Sequence, residues 1–320
     1  MKISIVGAGS WSSAVAKVLA EKGHDVTLCA RKADDAIKMK KQKENIKHLA
    51  GIKLPDNVNF STFEDIPPSD VTIFGIPAQH VREVLKGIKI RTSGVVNLAK
   101  GLEIKTLKRM EDVFREFLQT NYATISGPSH AVEVAMGIPT SVVVSSDNHE
   151  FAEMIQREFS TNRFRLYVND DLIGVEIGGA LKNVVAIAAG VLDGLGGWDN
   201  SKAAIITRGL AEIARIGVRL GAEQKTFMGL AGLGDLVVTC TSRHSRNRMT
   251  GEIIGKGGTF SEKSAFVVEG AYTVLAELKL AKKLKVDVPI ARAVHSLLYE
   301  QASPFELMEK LMSRPLKREE

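Results

Sequence analysis

Through the first 170 residues, short apolar and β-branched runs recur at 2–6, 25–29, 71–75, 94–98, 122–126, 140–145 and 163–168. Between most of them the apolar positions repeat at helical spacing instead, over 11–22, 79–86, 104–118 and 149–158. Strand alternating with helix predicts βαβ units, and so a doubly wound, mostly parallel sheet whose ligands bind at the carboxyl ends of the strands. Past residue 171 the strand signal stops. Helical periodicity takes over at 171–193, 201–220, 268–285 and 289–301, with Gly-rich or Ser-rich connections. The pattern predicts an α/β chain with a sheet domain over 1–170 and an all-α domain over 171–320, without internal repeats.

The first strand runs directly into Gly7-Ala8-Gly9-Ser10-Trp11-Ser12, and an apolar helical pattern follows from Ala14. A Gly-x-Gly turn between strand and helix is the Rossmann-like context for a dinucleotide: Gly7 permits the turn, and Gly9 lets the backbone approach a pyrophosphate at the helix N-terminus. Ser12 stands where a third glycine normally packs helix on strand, which predicts a slight displacement of the helix with the site retained. After the second strand, where an NAD binder places an acid for the ribose 2′-OH, the chain reads Cys29-Ala30-Arg31-Lys32. Two cations predict NADP(H) as the preferred cofactor; Asp34 and Asp35 lie close enough for NAD(H) to be accepted as well.

Charge adds little at this scale. The 320 residues carry 43 Lys and Arg against 37 Asp and Glu, a net +6. Split near residue 170, each half is net +3, with no basic tail of the kind a nucleic-acid binder carries. No charged leader or cleavage site precedes the first strand, which predicts a cytoplasmic protein. The apolar run 172–195 holds Glu176 and Lys182, so a buried helix is expected rather than a membrane span. Two cysteines, Cys29 and Cys240, are expected as reduced thiols. Neither they nor any His or Cys spacing suggests a metal site, and Gly255-Lys256-Gly257 is no Walker A loop.

Several segments carry candidate chemistry. Lys100 follows a strand at the ligand-binding edge, and Ser126-Gly127-Pro128-Ser129-His130-Ala131 follows another. Lys182 sits among small and apolar residues, where burial and a neighbouring cation such as Lys100 would lower its pKa toward neutrality and fit it for proton transfer at a carbonyl. Arg246, between Ser245 and Asn247, is suited to a phosphate. His130 and His244 are assigned no catalytic role.

In this order and spacing, GAGSW, NLAKGLE, SGPSHAVEVA, VEIGGALKNVVAIAAG, DNSKAAIITRG, GLAGLGDLVVTC, SRNR and VVEG resemble the bacterial-type NAD(P)-dependent glycerol-3-phosphate dehydrogenases over nearly the whole chain. The resemblance implies interconversion of dihydroxyacetone phosphate and sn-glycerol 3-phosphate for glycerophospholipid synthesis. It implies Lys182 as the catalytic group, with Lys100, Gly127, Ser129, Asp235, Ser245, Arg246 and Asn247 at the substrate. Gly7, Gly9, Ser10, Trp11, Arg31, Lys32, Lys100, Ala131, Arg246, Val267 and Glu269 would hold the cofactor, Val267 and Glu269 by closing over its nicotinamide end. A homodimer is compatible with it. Two rivals are another dehydrogenase with a helical second half, of the hydroxyacyl-CoA or ketopantoate type, and a cofactor-binding sensor without chemistry. The SRNR segment and the position of Lys182 argue against the first, and the retention of Lys182 and Asp235 against the second.

Overall fold

The computed structural model describes residues 1–261, 267–316 and 318. Strands β1 (Lys2–Val6), β2 (Asp25–Ala30), β3 (Val58–Thr62), β4 (Ser69–Phe74), β5 (Thr92–Asn97), β6 (Asn121–Ser126), β7 (Thr140–Ser145) and β8 (Phe164–Val168) form one sheet in the order β3-β2-β1-β4-β5-β6-β7-β8. All neighbours are parallel except β6 and β7. Helices α1 (Ser10–Glu21), α2 (Ala33–Gln42), α3 (Ile46–Leu49), α4 (Val81–Gly87), α5 (Met110–Arg115), α6 (Ala131–Ala135) and α7 (His149–Phe159) alternate with the strands. After β8 come only helices: α8 (Leu172–Leu195), α9 (Asp199–Arg219), α10 (Asp235–Thr241), α11 (Arg246–Gly255), α12 (Glu269–Leu284), α13 (Pro289–Tyr299) and α14 (Pro304–Met312).

All seven strands expected from the sequence are present. The eighth, β3, was not expected; it pairs only with β2, and only Val58 of its five residues is buried, so its apolar signal is weak. The helix expected over 104–118 is confined to α5. Leu107 adopts φ +61° in a turn where its N–H donates to Glu103 (2.8 Å), and the helix starts afresh after Arg109, whose N–H donates to the Asp112 carboxylate (3.2 Å). No element was expected at α2, α10, α11 or α14; α2 buries only Ala36 and Met39, and α14 buries no residue fully.

Apolar side chains fill both faces of the sheet. Phe74, Phe114 and Tyr122 stack on one face, with ring centroids 4.9 and 5.4 Å apart. The helical half is organised around α8, against which α9, α10, α11 and α12 pack. Alone among the described helices, α8 is long and apolar enough to cross a membrane, and 94% of its most apolar stretch is buried in the protein, as expected of a core helix. Near its start Glu176 is buried, and an isolated carboxylate there would cost several kcal/mol. It is satisfied by Tyr122 Oη (2.6 Å), Arg109 Nη1 (2.8 Å) and the Glu111 N–H (3.0 Å), which tie α8 to β6 and α5. Burial nevertheless pushes the Glu176 carboxyl up to about 7, with Arg109 opposing the shift.

Candidate active site

Because β1, β2, β4, β5 and β6 run parallel, their carboxyl ends open on one edge of the sheet. A cleft of about 1240 Å³ lies there, walled by the turns after these strands and by residues of α8, α11 and α12. Gly7 adopts φ +106°, and a Cβ there would stand 2.6 Å from the Gly75 carbonyl oxygen, so the turn needs glycine. Gly9 caps α1 without a side chain, which leaves the first N–H groups of that helix turned toward the cleft for an anion. Ser12 is fully buried and its hydroxyl donates to the Gly75 carbonyl (3.1 Å).

Asn45, which carries no local sequence signal, holds this turn from outside. Its side-chain amide donates to the Ala8 carbonyl and to Ser13 Oγ, both at 2.8 Å. Its segment, together with α2, forms the cleft wall beyond Arg31 and Lys32, both of which are exposed at the rim. Within the first half the positive charge is not evenly spread. Residues 31–53 hold eight Lys and Arg against three Asp and Glu, a net +5 out of +6 for the chain. Counting over 170-residue halves averaged the cluster away; a window of about one helix-turn-helix unit would have found it.

At the other end of the cleft, α8, α10 and the turn after β5 bring three charges together. Lys182 is buried, its ammonium bonded to the Asp235 carboxylate and to Thr239 Oγ1 (2.8 Å), one helical turn beyond Asp235 on α10. Lys100 Nζ reaches the other oxygen of Asp235 (2.7 Å) and donates to the Gly127 carbonyl (3.0 Å). Burial disfavours the Lys182 ammonium most; Asp235 favours it, Lys100 opposes it, and its pKa falls to about 7. Burial acts against the Asp235 carboxylate too, but Lys100 and Lys182 outweigh it and hold its pKa below the usual range. The result is a near-neutral amine next to a fixed anion, facing a cleft. That arrangement can donate or accept a proton near pH 7.

Opposite lies α11. Ser245 caps it, its hydroxyl accepting from the Arg248 N–H (3.2 Å), and Arg246, its first residue, projects exposed into the cleft. Asn247 is a crossbar: its amide donates to Asn183 Oδ1 and its oxygen accepts from the Gly270 N–H, both at 2.9 Å, locking α8, α11 and the start of α12. Half-buried Glu269 opens α12 beside Arg246; burial pushes its carboxyl up to about 7, against the arginine's pull.

Two family models match, the N-terminal part of NAD-dependent glycerol-3-phosphate dehydrogenase over residues 2–152 and its C-terminal part over 171–309. The chain belongs to the NAD-dependent glycerol-3-phosphate dehydrogenase family. A protein named glycerol-3-phosphate dehydrogenase [NAD(P)+] from Thermotoga sp. (strain RQ2) is 46% identical, the match covering 100% of this chain and 99% of that one. Its namesake from Thermoanaerobacter sp. (strain X514) is 44% identical over the same shares. The crystal structure of glycerol-3-phosphate dehydrogenase from Coxiella burnetii superposes with a TM-score of 0.92 at 36% identity, covering 98% of this chain and 99% of that chain. A probable 2-dehydropantoate 2-reductase from Bacillus subtilis shares the fold alone, at 15% identity and a TM-score of 0.60.

In this family member, most residues singled out from the sequence meet at the cleft. Gly7, Gly9, Ser10, Trp11, Arg31, Lys32, Lys100, Ser129, Lys182, Arg246, Asn247, Val267 and Glu269 line it. Gly127, Asp235 and Ser245 stand behind the lining: Gly127 and Asp235 hold Lys100, and Ser245 starts α11. Ala131, the first residue of α6, does not line the cleft. Thr239, Asn45 and Asn183 were not singled out. Thr239 was accessible from its spacing of four from Asp235 once a helix is drawn there. His130 and His244 meet across the two halves with ring centroids 5.8 Å apart.

Proposed function

We propose that this chain reduces dihydroxyacetone phosphate to sn-glycerol 3-phosphate, with NADPH as preferred hydride donor and NADH also used. The buried Lys182 amine, near pH 7 in its titration and braced by Asp235, Thr239 and Lys100, carries this reading. The glycine turn, the open N-terminus of α1 and the volume of the cleft fit a dinucleotide. When bound, the nicotinamide supplies the hydride. Lys182 then donates its proton to the oxygen on which negative charge develops, and in the oxidative direction the neutral amine takes the hydroxyl proton. Asp235 fixes the amine's position. Lys100 adds to the effect of burial in keeping the Lys182 pKa low and offers a second cation to the substrate.

Arg246 faces the substrate phosphate with a guanidinium fork suited to its oxygens, supported by the first N–H groups of α11. Arg31 and Lys32 face the 2′-phosphate, and Val267 and Glu269 the nicotinamide end. The chain thus works as a cofactor-binding part up to about residue 170 and a catalytic helical part beyond it, in the cytoplasm, where the free, buried thiols Cys29 and Cys240 are at home. Its product would feed glycerophospholipid synthesis. Exposed Phe305 and Met312 on α14 give a homodimer an apolar surface, to be measured by sedimentation.

The test follows NADPH absorbance with dihydroxyacetone phosphate and then with dihydroxyacetone. Oxidation with the phosphorylated ketone alone is expected. No oxidation with either would leave only a binding protein, and equal rates would remove the phosphate-recognition assignment of Arg246.

A further inference from the structure

Of the cations concentrated in residues 31–53, only Arg31 and Lys32 have a part in the chemistry above. Among the eight, Arg31 and Lys32 flank the ribose end of the cleft, Lys47 pairs with Asp35 (3.6 Å), Lys53 pairs with Glu44 (2.8 Å) and Lys43 donates to the Asp56 carbonyl (3.0 Å). Lys38, Lys40 and Lys41 are exposed and make no ion pair among the described residues. Lys38 lines the cleft, as do Met39 and Gln42 on the same helix, so Lys40 and Lys41 stand within about one helical turn, ~5.4 Å, of its wall. The rest of the chain is close to neutral, at net +1. The net positive charge of the sequence is therefore concentrated in a segment that walls one end of the cleft.

We propose that Lys38, Lys40 and Lys41 form an electrostatic collar that draws in the phosphorylated dinucleotide and favours NADPH over NADH by rate of association, beyond any contact made by Arg31 and Lys32. The inference rests on the cofactor reading above. A 2′-phosphate adds about −1.5 to −2 of charge, so the field acts more strongly on NADPH. An excess of one sign of charge at a cleft raises on-rates, and the gain disappears with salt; the lining here holds seven Lys and Arg against five Asp and Glu, and Lys40 and Lys41 beside it add to the positive excess. Of the three unpaired lysines of α2, Lys40 and Lys41 lie outside the cleft lining, so they contribute to the rate of arrival without adding contacts in the bound state.

The test is stopped-flow binding of NADPH and of NADH, read by quenching of protein fluorescence, to which Trp11 in the cleft contributes. The variant Lys40→Glu/Lys41→Glu replaces no residue of the cleft lining. At about 0.01 M ionic strength, where the screening length is ~30 Å, it should slow NADPH association on the order of tenfold and NADH association less, with both dissociation rates unchanged. At about 1 M, where screening acts within ~3 Å, variant and parent should coincide. Lys40→Gln/Lys41→Gln should give an intermediate rate and spares α2 an acid in its last turn. Lys282→Glu/Lys283→Glu makes the same change in net charge at the far end of α12, about 20 Å along the helix from Glu269, and should leave both rates alone. Equal low-salt association of NADPH with the collar variant and the parent, or an equal slowing by the α12 variant, overturns the proposal. Turnover of dihydroxyacetone phosphate is read on the same samples: its absence in the parent sinks the substrate assignment, while the binding rates still decide the collar.

Discussion

Ser12 and Gly75 are fitted to each other. The buried Ser12 hydroxyl sits 3.1 Å from the Gly75 carbonyl oxygen, and a Cβ built on Gly75 would fall 2.0 Å from that same hydroxyl. The serine that replaces the third glycine of the turn is thus housed by a glycine at the end of the neighbouring strand β4, and bonded to it.

Gly75→Ala should therefore destabilise the protein by about 1–3 kcal/mol, the usual cost of overpacking, and loosen cofactor binding. Ser12→Gly alone should cost less, about 0.5–1.5 kcal/mol for the lost hydrogen bond. In the double variant Ser12→Gly/Gly75→Ala most of the alanine penalty should vanish. Urea unfolding of the four proteins measures this coupling; strict additivity would mean that the two positions do not share space.

Lys182→Met should lower kcat by about 10²- to 10⁴-fold, the range for loss of a general acid, while NADPH still binds. With the Lys182 pKa near 7, the reductive direction needs the ammonium and should slow as pH rises through 7, whereas the oxidative direction needs the free amine and should slow as pH falls through it. Opposite limbs in the two directions are the expected kcat profiles. Identical profiles would place the proton transfer elsewhere.

Arg246→Ala removes charge-assisted hydrogen bonds worth about 1.5–3 kcal/mol, so KM for dihydroxyacetone phosphate should rise roughly 10- to 100-fold. KM for NADPH should change far less. A rise confined to KM for NADPH would assign the arginine to the cofactor instead.

Arg31→Ala/Lys32→Ala should cut kcat/KM with NADPH roughly 10- to 100-fold on the same scale and change it little with NADH. A parent enzyme that strongly prefers NADH would overturn the role given to these two cations.

Burial raises four carboxyl groups of the helical half, Glu176, Glu212, Glu269 and Glu277, and so makes stability depend on pH; Glu212 and Glu277 act on each other. Glu212 accepts from the Ile290 N–H (2.9 Å) at the start of α13, and burial pushes its carboxyl up to about 7; buried Glu277 is raised well above its ordinary value by burial and by Glu212. A raised carboxyl stabilises the fold fully below its unfolded pKa of 4.5, and that contribution is lost as pH climbs through about 7. For Glu212 the loss is about 3 kcal/mol. Urea midpoints should start to fall above about pH 4.5, with the Glu212 share of the fall complete near pH 7, and fall less in Glu277→Gln, which has no second acid to ionise. Parallel declines in both proteins would remove the pair as the cause.

The strands, α8 and the glycine turn were legible because each is written in contiguous residues. Seven strands announced themselves as short β-branched runs, and the turn of Gly7 and Gly9 identifies itself by its place between a strand and a helix. What escaped was marginal locally. Edge strand β3 buries one residue, α2 and α14 bury almost none, and no sequence rule gives Leu107 a left-handed conformation.

By itself the sequence determined seven of the strands and the switch to helices, the dinucleotide turn and the choice of Lys182, Lys100 and Arg246, since residue type and local period suffice for these, while Asp235 came from the family resemblance. Only the tertiary structure decided that Lys182 and Asp235, separated by 53 positions, share one bond, that Asn247 spends its amide on α8 and α12, and that Gly75 makes room for Ser12. It also turned a cluster of lysines diluted in the chain average into the rim of one cleft. Burial, pKa and field depend on distance through space, and the folded chain sets those distances independently of separation along it.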